Sequence, residues 1–426
     1  MQSWEIVVIA VWGALWTLVS FRPPLRPAWL MAPGFFAAWW TTELAPLHLA
    51  FQAVLVAFAI SQGALDTWYG WVALAVTVVS WIGLARSVRG SSGTDREIAT
   101  ALAEGLGPEW ANDLTGPALD RRRRREWARV LLPFWFRRAG VIRIRNLQYV
   151  DGDSSKRLRL DVFRHRDTPP GAPVLLQIHG GGWIIGEKGQ QGQPLMHLLA
   201  AHGWVCVAIN YRLSPKATWP DHLVDCKRAL AWIRTHIAEH GGDPDYVVAT
   251  GGSAGGHLTA MVGLTANDPQ YQPGFEDVDT SVRAMIPFYG VYEWDDPKSG
   301  NGEALTDILA RYIVKRPYAE VPELYRSASP VHLVHADAPP ALIVHGDRDT
   351  LAPVEEARRF AAELRAVSRN PVVYAELAGA HHAFEVFNSI RTLDAVAGVD
   401  RFLAWLLATA PPAGASGAPG ATPRRA

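Results

Sequence analysis

The chain has 426 residues, with 41 basic and 41 acidic side chains, so its formal charge cancels, and this balance argues against a nucleic-acid footprint. The length leaves room for two or three domains, but an even, soluble globule is excluded. Residues 1–85 carry only Glu5, Arg22, Arg26, Glu43 and Asp66 as charges, together with nine of the 18 tryptophans.

Ile6 to Phe21 is an uncharged apolar run, long enough at about 1.5 Å per residue to cross most of a bilayer's hydrocarbon core. It lacks the basic start and small-residue cleavage site of a removed signal peptide. Residues 51–64 and 68–85 are two more such stretches, and 28–42 is a shorter one broken by Pro33 and Gly34. That fourth stretch reads as a further span, a re-entrant hairpin or an interfacial helix. Trp29, Trp39, Trp40, Trp68, Trp71 and Trp81 recur near the ends of these runs, where indoles prefer the headgroup level. The pattern predicts an all-helical, multi-pass membrane anchor over residues 1–88 with three to four spans. Three crossings plus a partial one put Arg22 and Arg26 on the same side as Arg86, Arg89 and Arg96. By the positive-inside tendency that side, and the large C-terminal part with it, is cytoplasmic.

Residues 89–145 are charged and helix-prone and are expected to form a linker and cap helices. Gly90 to Gly93 reads as a flexible joint, and Arg121 to Arg125 followed by Trp127, Leu131, Leu132, Phe134 and Trp135 as an amphipathic region. From 146 to 408 short apolar runs alternate with helical periods. Candidate strands are 158–162, 174–178, 205–209, 246–250, 285–288, 341–344 and 372–377; candidate helices are 221–239, 256–266, 354–367 and 394–407. Such alternation implies a mostly parallel sheet covered on both faces, with chemistry beyond the C-terminal strand ends. Residues 409–426, rich in Pro, Gly and Ala, read as a disordered tail. Cys206 and Cys226 fit neither a disulfide framework nor a metal spacing and read as buried thiols.

Three loops at predicted strand ends carry chemistry. Gly251-Gly252-Ser253-Ala254-Gly255 joins a strand to an apolar helix, and a serine becomes a nucleophile when such a sharp turn exposes it beside a base. His179-Gly180-Gly181-Gly182-Trp183 follows the strand at 174–178, and consecutive glycines free backbone amides to stabilise an oxyanion. Gly181, Gly182 and Ala254 are the candidate donors, and His179 reads as a structural part of its loop. The base and its orienter are expected in His345-Gly346-Asp347-Arg348-Asp349 and Gly379-Ala380-His381-His382-Ala383-Phe384. The residues alone leave Asp347 against Asp349, and His381 against His382, undecided.

The segments HGGGW, NYRLSP (Asn210 to Pro215), GGSAGGH, HGDRDTLAP and GAHHAF resemble, in the same order, the hormone-sensitive-lipase-like branch of the α/β-hydrolase esterases. The resemblance covers about residues 145–408. It implies an α/β-hydrolase fold, an approximately eight-stranded, mostly parallel sheet with flanking helices, here preceded by the transmembrane helices. It implies Ser253 as nucleophile, His382 as base, Asp349 as its acid, and Gly181, Gly182 and Ala254 as the oxyanion hole, with no cofactor and no metal. The expected activity is carboxylic-ester hydrolysis of a small-molecule or lipid ester by a serine hydrolase integral to the membrane. An amidase or formamidase, an acyltransferase and a catalytically silent binding module are the alternatives. One departure is Gly252, where the family often has Asp. The 290–339 connection and residues 95–145 are the expected lid, with Tyr292, Trp294, Tyr312 and Tyr318 as pocket-lining candidates.

Overall fold

The computed structural model describes residues 4–24, 28–112, 114, 126–150, 157–296 and 302–412. Arg26, the Arg121 to Arg125 run and residues 413–426 of the C-terminal tail lie outside the described residues, whereas Thr409, where the tail was expected to begin, still ends the helix Ile390–Thr409.

The apolar runs bounded by Gly, Pro and Asp form strands close to their expected limits. β1 (Val141–Gln148), β2 (Arg159–His165), β3 (Ala172–Ile178), β4 (Val205–Ile209), β5 (Gly242–Gly252), β6 (Ala284–Phe288), β7 (Ala341–Gly346) and β8 (Val372–Leu377) make one sheet. Its order is β1-β2-β4-β3-β5-β6-β7-β8. The β1–β2 and β2–β4 pairs are antiparallel and the rest parallel. Side-chain alternation along each strand feeds two cores. Val174, Leu176 and Ile178 pack with Leu223, Ile233 and Leu258 on one face, whereas Leu175 packs with Leu199, Phe402 and Leu403 on the other. The two cysteines are free and buried, on opposite faces of the sheet. The sequence pattern missed β1, whose Arg143 and Arg145 interrupt the apolar alternation at the sheet's edge, and the helix Gln193–Ala201, which is too fully buried to show a polar face.

The N-terminal region forms α1 (Trp4–Phe21), α2 (Ala28–Glu43), α3 (Ala45–Ser61) and α4 (Trp68–Ser91). The α1 helix and the nearly unbroken stretch Trp68–Leu106 are long and apolar enough to cross a membrane, and Pro33–Glu43 with Ala45–Ser61 is a pair bent by 85°. Polar and small groups face the interior of this bundle. Thr17 Oγ1 lies 2.8 Å from Ser80 Oγ, Trp81 Nε1 donates to Gln52 Oε1 at 3.1 Å, and a Cβ on Gly83 would meet Thr17 Cγ2 at 2.5 Å. Many large apolar side chains point outward: Val8, Val54 and Val79 are 66%, 68% and 68% exposed.

The expected joint at Gly90 to Gly93 is instead a tight helical turn, with the Gly93 amide donating to the Gly90 carbonyl at 2.9 Å. It leads into α5 (Thr94–Leu106). This helix buries Ile98, Ala101 and Leu102 in the same core as Val373, Val396 and Leu403. It therefore covers the β8 edge of the sheet, because its apolar face matches that surface, and it is not a lid.

The bundle is fastened to the sheet domain by a buried ion pair. Arg391 Nε donates to Glu43 Oε1 at 2.9 Å, Arg391 Nη2 to Ser91 Oγ at 3.2 Å, and the Ser389 hydroxyl to Glu43 Oε2 at 2.7 Å. Both charges are almost wholly buried, so each needs the other.

Candidate active site

The strand β5 runs into the helix α6 (Ala254–Leu264) through a single residue, Ser253, at φ 59° and ψ −125°. A side-chain-bearing residue in that region is strained and persists only where its surroundings over-determine it. Here the Ser253 amide donates to the Phe288 carbonyl at 3.0 Å. The flanking glycines are sterically required: a Cβ on Gly251 would sit 2.5 Å from the Ile178 carbonyl oxygen, and one on Gly255 at 2.2 Å from the same atom. The Ser253 hydroxyl thus stands at the N-terminus of α6, where the helix field favours negative charge.

The glycine-rich loop lies alongside. A Cβ on Gly180 would meet Ser253 Cβ at 3.0 Å, whereas one on Gly182 would meet nothing within 4 Å. Gly181 and Gly182 have φ of 113° and 59°. The loop is pinned by the Gly180 amide donating to Gln191 Oε1 at 2.6 Å and by Tyr211, whose hydroxyl donates to the His179 carbonyl at 3.0 Å. Among the described residues the amides of Gly181, Gly182 and Ala254 donate to no partner. His179 is buried, its pKa pushed down to about 4 by that burial, and its Nδ1 faces the Gly180 carbonyl. It holds the loop's shape.

The Asp349 carboxylate is fully buried. Its Oδ1 accepts from the Leu351 and Ala352 amides, each at 2.8 Å. Its Oδ2 lies 2.6 Å from His382 Nδ1 and 3.5 Å from His345 Nε2. Burial alone would raise its pKa, but the electrostatic attraction of the His382 imidazole and the hydrogen bonds of His345 and His382 hold it well below the usual carboxylate range. An ionised carboxylate only accepts, so His382 carries its proton on Nδ1 and presents a bare Nε2. Among the described residues neither that nitrogen nor the Ser253 hydroxyl makes a hydrogen bond.

The competing residues are placed differently. Asp347 is exposed and accepts from the Gly379 amide at 2.6 Å. His381 is buried, with Nδ1 against the Arg348 carbonyl at 3.1 Å and Nε2 against the Ser20 carbonyl at 3.0 Å; burial lowers its pKa to about 4.

Tyr289 and Glu385 belong to the site and went unread in the sequence. The Tyr289 ring lies 4.6 Å from the His382 ring and its hydroxyl donates to the buried Glu385 carboxylate. Burial raises the pKa of both groups. A Cβ on Gly252 would come 2.5 Å from the Tyr289 hydroxyl, which explains the glycine in place of Asp: tyrosine fills that space. The partners are 96 residues apart, so no local spacing signals them. Of the pocket-lining candidates, Trp294 joins a cluster with Trp183 and Trp219, ring centroids 5.0 Å apart. Tyr292 stacks on Phe360 in a separate core, Tyr312 is exposed, and Tyr318 packs on Tyr325.

Comparison with known proteins matches residues 160–364 to the family described as BD-FAE. The chain is 40% identical to the probable carboxylic ester hydrolase LipM of Mycobacterium tuberculosis, over 96% of this chain and 94% of that one. It is 44% identical to the esterase LipQ of the same organism, over 59% of this chain and 60% of that one. The butyrate-bound thermophilic esterase of Thermogutta terrifontis is similar in structure, with a TM-score of 0.53 and 25% identity, over 65% of this chain and 96% of that chain.

Proposed function

This chain belongs to the carboxylic ester hydrolases with an α/β-hydrolase fold, and from that premise we propose that Ser253, His382 and Asp349 are its catalytic triad. The Ser253 hydroxyl turns to His382 Nε2, gives up its proton and attacks the acyl carbonyl. The oxyanion accepts from the amides of Gly181, Gly182 and Ala254, each worth about 3 kcal/mol of barrier. His382 returns the proton to the leaving alcohol, and Asp349 stabilises the imidazolium and fixes its tautomer. Water, activated by the same imidazole, then releases the acid. The observation that carries this reading is the buried 2.6 Å contact between His382 and Asp349, in a site whose loop amides are without partners.

The motif order places the chain near the hormone-sensitive-lipase-like branch. The helices α1–α4 anchor it in a membrane, with the catalytic domain on the cytoplasmic side. What supports the anchor is the inverted packing of the bundle, with Thr17, Ser80 and Gln52 inside and Val8, Val54 and Val79 outside. Water would not stabilise that arrangement, but hydrocarbon does. The substrates are carboxylic esters, small or lipid.

The test uses the full chain purified in detergent with p-nitrophenyl esters of increasing acyl length. Ester turnover is expected; Ser253→Ala should remove it without changing the unfolding temperature, and His382→Ala should remove it as well. Activity of Ser253→Ala within about tenfold of wild type would overturn the assignment, since loss of a triad nucleophile costs orders of magnitude.

A further inference from the structure

The helix α2 reaches the loop that carries His382. Trp39 Nε1 donates to the Ala383 carbonyl at 2.9 Å, across 344 residues of chain. Ala383 follows His382 directly and has φ 59°, a conformation that an alanine holds only when its surroundings impose it. Its carbonyl also accepts from the Val386 amide at 3.3 Å. The Phe35 ring, one turn before Trp39, stands edge-on to the His382 imidazole with centroids 6.2 Å apart and is itself buried. Trp39 stacks on Phe35 and packs on Phe387, with centroids 5.9 and 4.9 Å away. The rest of the loop is tied to α1 by the His381 contact with the Ser20 carbonyl at 3.0 Å. It is tied to the C-terminal helix, Ile390–Thr409, by Thr392, whose hydroxyl donates to the Phe384 and Phe387 carbonyls. The base is therefore gripped from two sides, one of them the N-terminal bundle.

We propose that Trp39 is a positioning residue for His382: its indole N–H fixes the peptide after the base, Phe35 excludes water from the ring edge, and the helix bundle is thereby part of the catalytic apparatus. The proposal rests on the assignment of His382 as base. It goes beyond an anchor that only localises the enzyme. Asp349 sets the tautomer and one end of the imidazole; Trp39 sets where its ring stands relative to Ser253. Misplacement of a reacting group by about an ångström is enough to cost up to 10²-fold in rate.

The variant Trp39→Phe keeps the aromatic packing and deletes only the donor. In the full-length protein with a short, water-soluble p-nitrophenyl ester, kcat should fall by about tenfold and KM stay within about twofold. Labelling of Ser253 by a fluorophosphonate should slow in parallel, with an unchanged unfolding temperature. Phe21→Leu is the control: Phe21 joins the bundle to the sheet domain through Arg348, 4.9 Å above its ring, without touching His382, and should keep wild-type kcat. Wild-type kcat in Trp39→Phe, a loss that only follows a loss of folded protein, or an equal loss in Phe21→Leu each overturns the proposal. Ser253→Ala separates the two readings. If it stays active, the triad fails; if it is dead while Trp39→Phe is wild type, only the role of Trp39 fails.

Discussion

Replacing Asp349 by Asn changes one oxygen to an NH2 and removes a charge. Oδ1 can still accept from the Leu351 and Ala352 amides, at 2.8 Å each, so that oxygen keeps its place. The new NH2 must then face His382 Nδ1 across the present 2.6 Å contact. Two donors cannot share it. The imidazole moves its proton to Nε2, the nitrogen that takes the Ser253 proton in the proposed triad, and the base is blocked. A wrong tautomer of this kind costs about 10⁴ in kcat. The imidazolium formed during the reaction also loses its counter-charge. Asp347→Asn is the matched comparison, because its acceptor role toward the Gly379 amide survives in the amide. Steady-state hydrolysis of a soluble ester should show a loss of three to four orders of magnitude in the first variant (~10³–10⁴) and less than about threefold in the second, a surface change. Equal losses, or a loss below tenfold at Asp349, would refute the reasoning.

Three further outcomes follow from particular contacts. Gly252→Ala drives a methyl group onto the Tyr289 hydroxyl, 2.5 Å away; displacing Tyr289 disturbs the His382 ring beside it, so kcat should drop at least about tenfold, and a wild-type kcat would remove Tyr289 from the site. Glu43→Gln leaves the Arg391 guanidinium buried beside a neutral amide, at a cost of roughly 3–5 kcal/mol, read as a lower midpoint in denaturant; an unchanged midpoint would show that the bundle is not fastened there. Burial lowers the pKa of His179, His222 and His381 to about 4 and of His257 to about 3, against about 6.5 in the unfolded chain. The unfolded state therefore binds more protons between these values, so stability is full above pH 6.5 and falls as pH drops toward 4. The unfolding temperature should decline steeply from pH 6.5 to 5, and a flat profile there would contradict neutral, buried histidines.

Much of the sheet was legible because its strands are apolar runs closed by breakers: Val205–Ile209, Val372–Leu377 and the helix Val354–Val367 fall where the pattern put them. β5 begins earlier than expected, at Gly242, since Asp243-Pro244-Asp245 reads as a turn although the chain there is already extended. The loops bearing Ser253, Asp349 and His382 were legible as motifs, but the residues alone left the choice between neighbours open, and only the family resemblance pointed to Asp349 and His382. Asp347 and Asp349 differ in burial, a property of the fold, and His381 is occupied by a carbonyl of α1 that no local pattern reveals. The same holds for Tyr289 with Glu385 and for Trp39 with Ala383. Contacts between residues that are apolar or singly charged and far apart in the chain leave no periodicity behind. The division into an anchor and a separate catalytic part missed the buried Glu43–Arg391 pair for this reason.

The most direct test of the triad is to trap the acyl-enzyme. A slowly deacylating ester or a fluorophosphonate is reacted with the full-length protein, and the modified peptide is identified by mass spectrometry. A single adduct on Ser253, formed in the wild type and lost in Ser253→Ala, is the expected result. Stoichiometric modification at any other residue, or turnover of esters with Ser253 left unmodified, would contradict it.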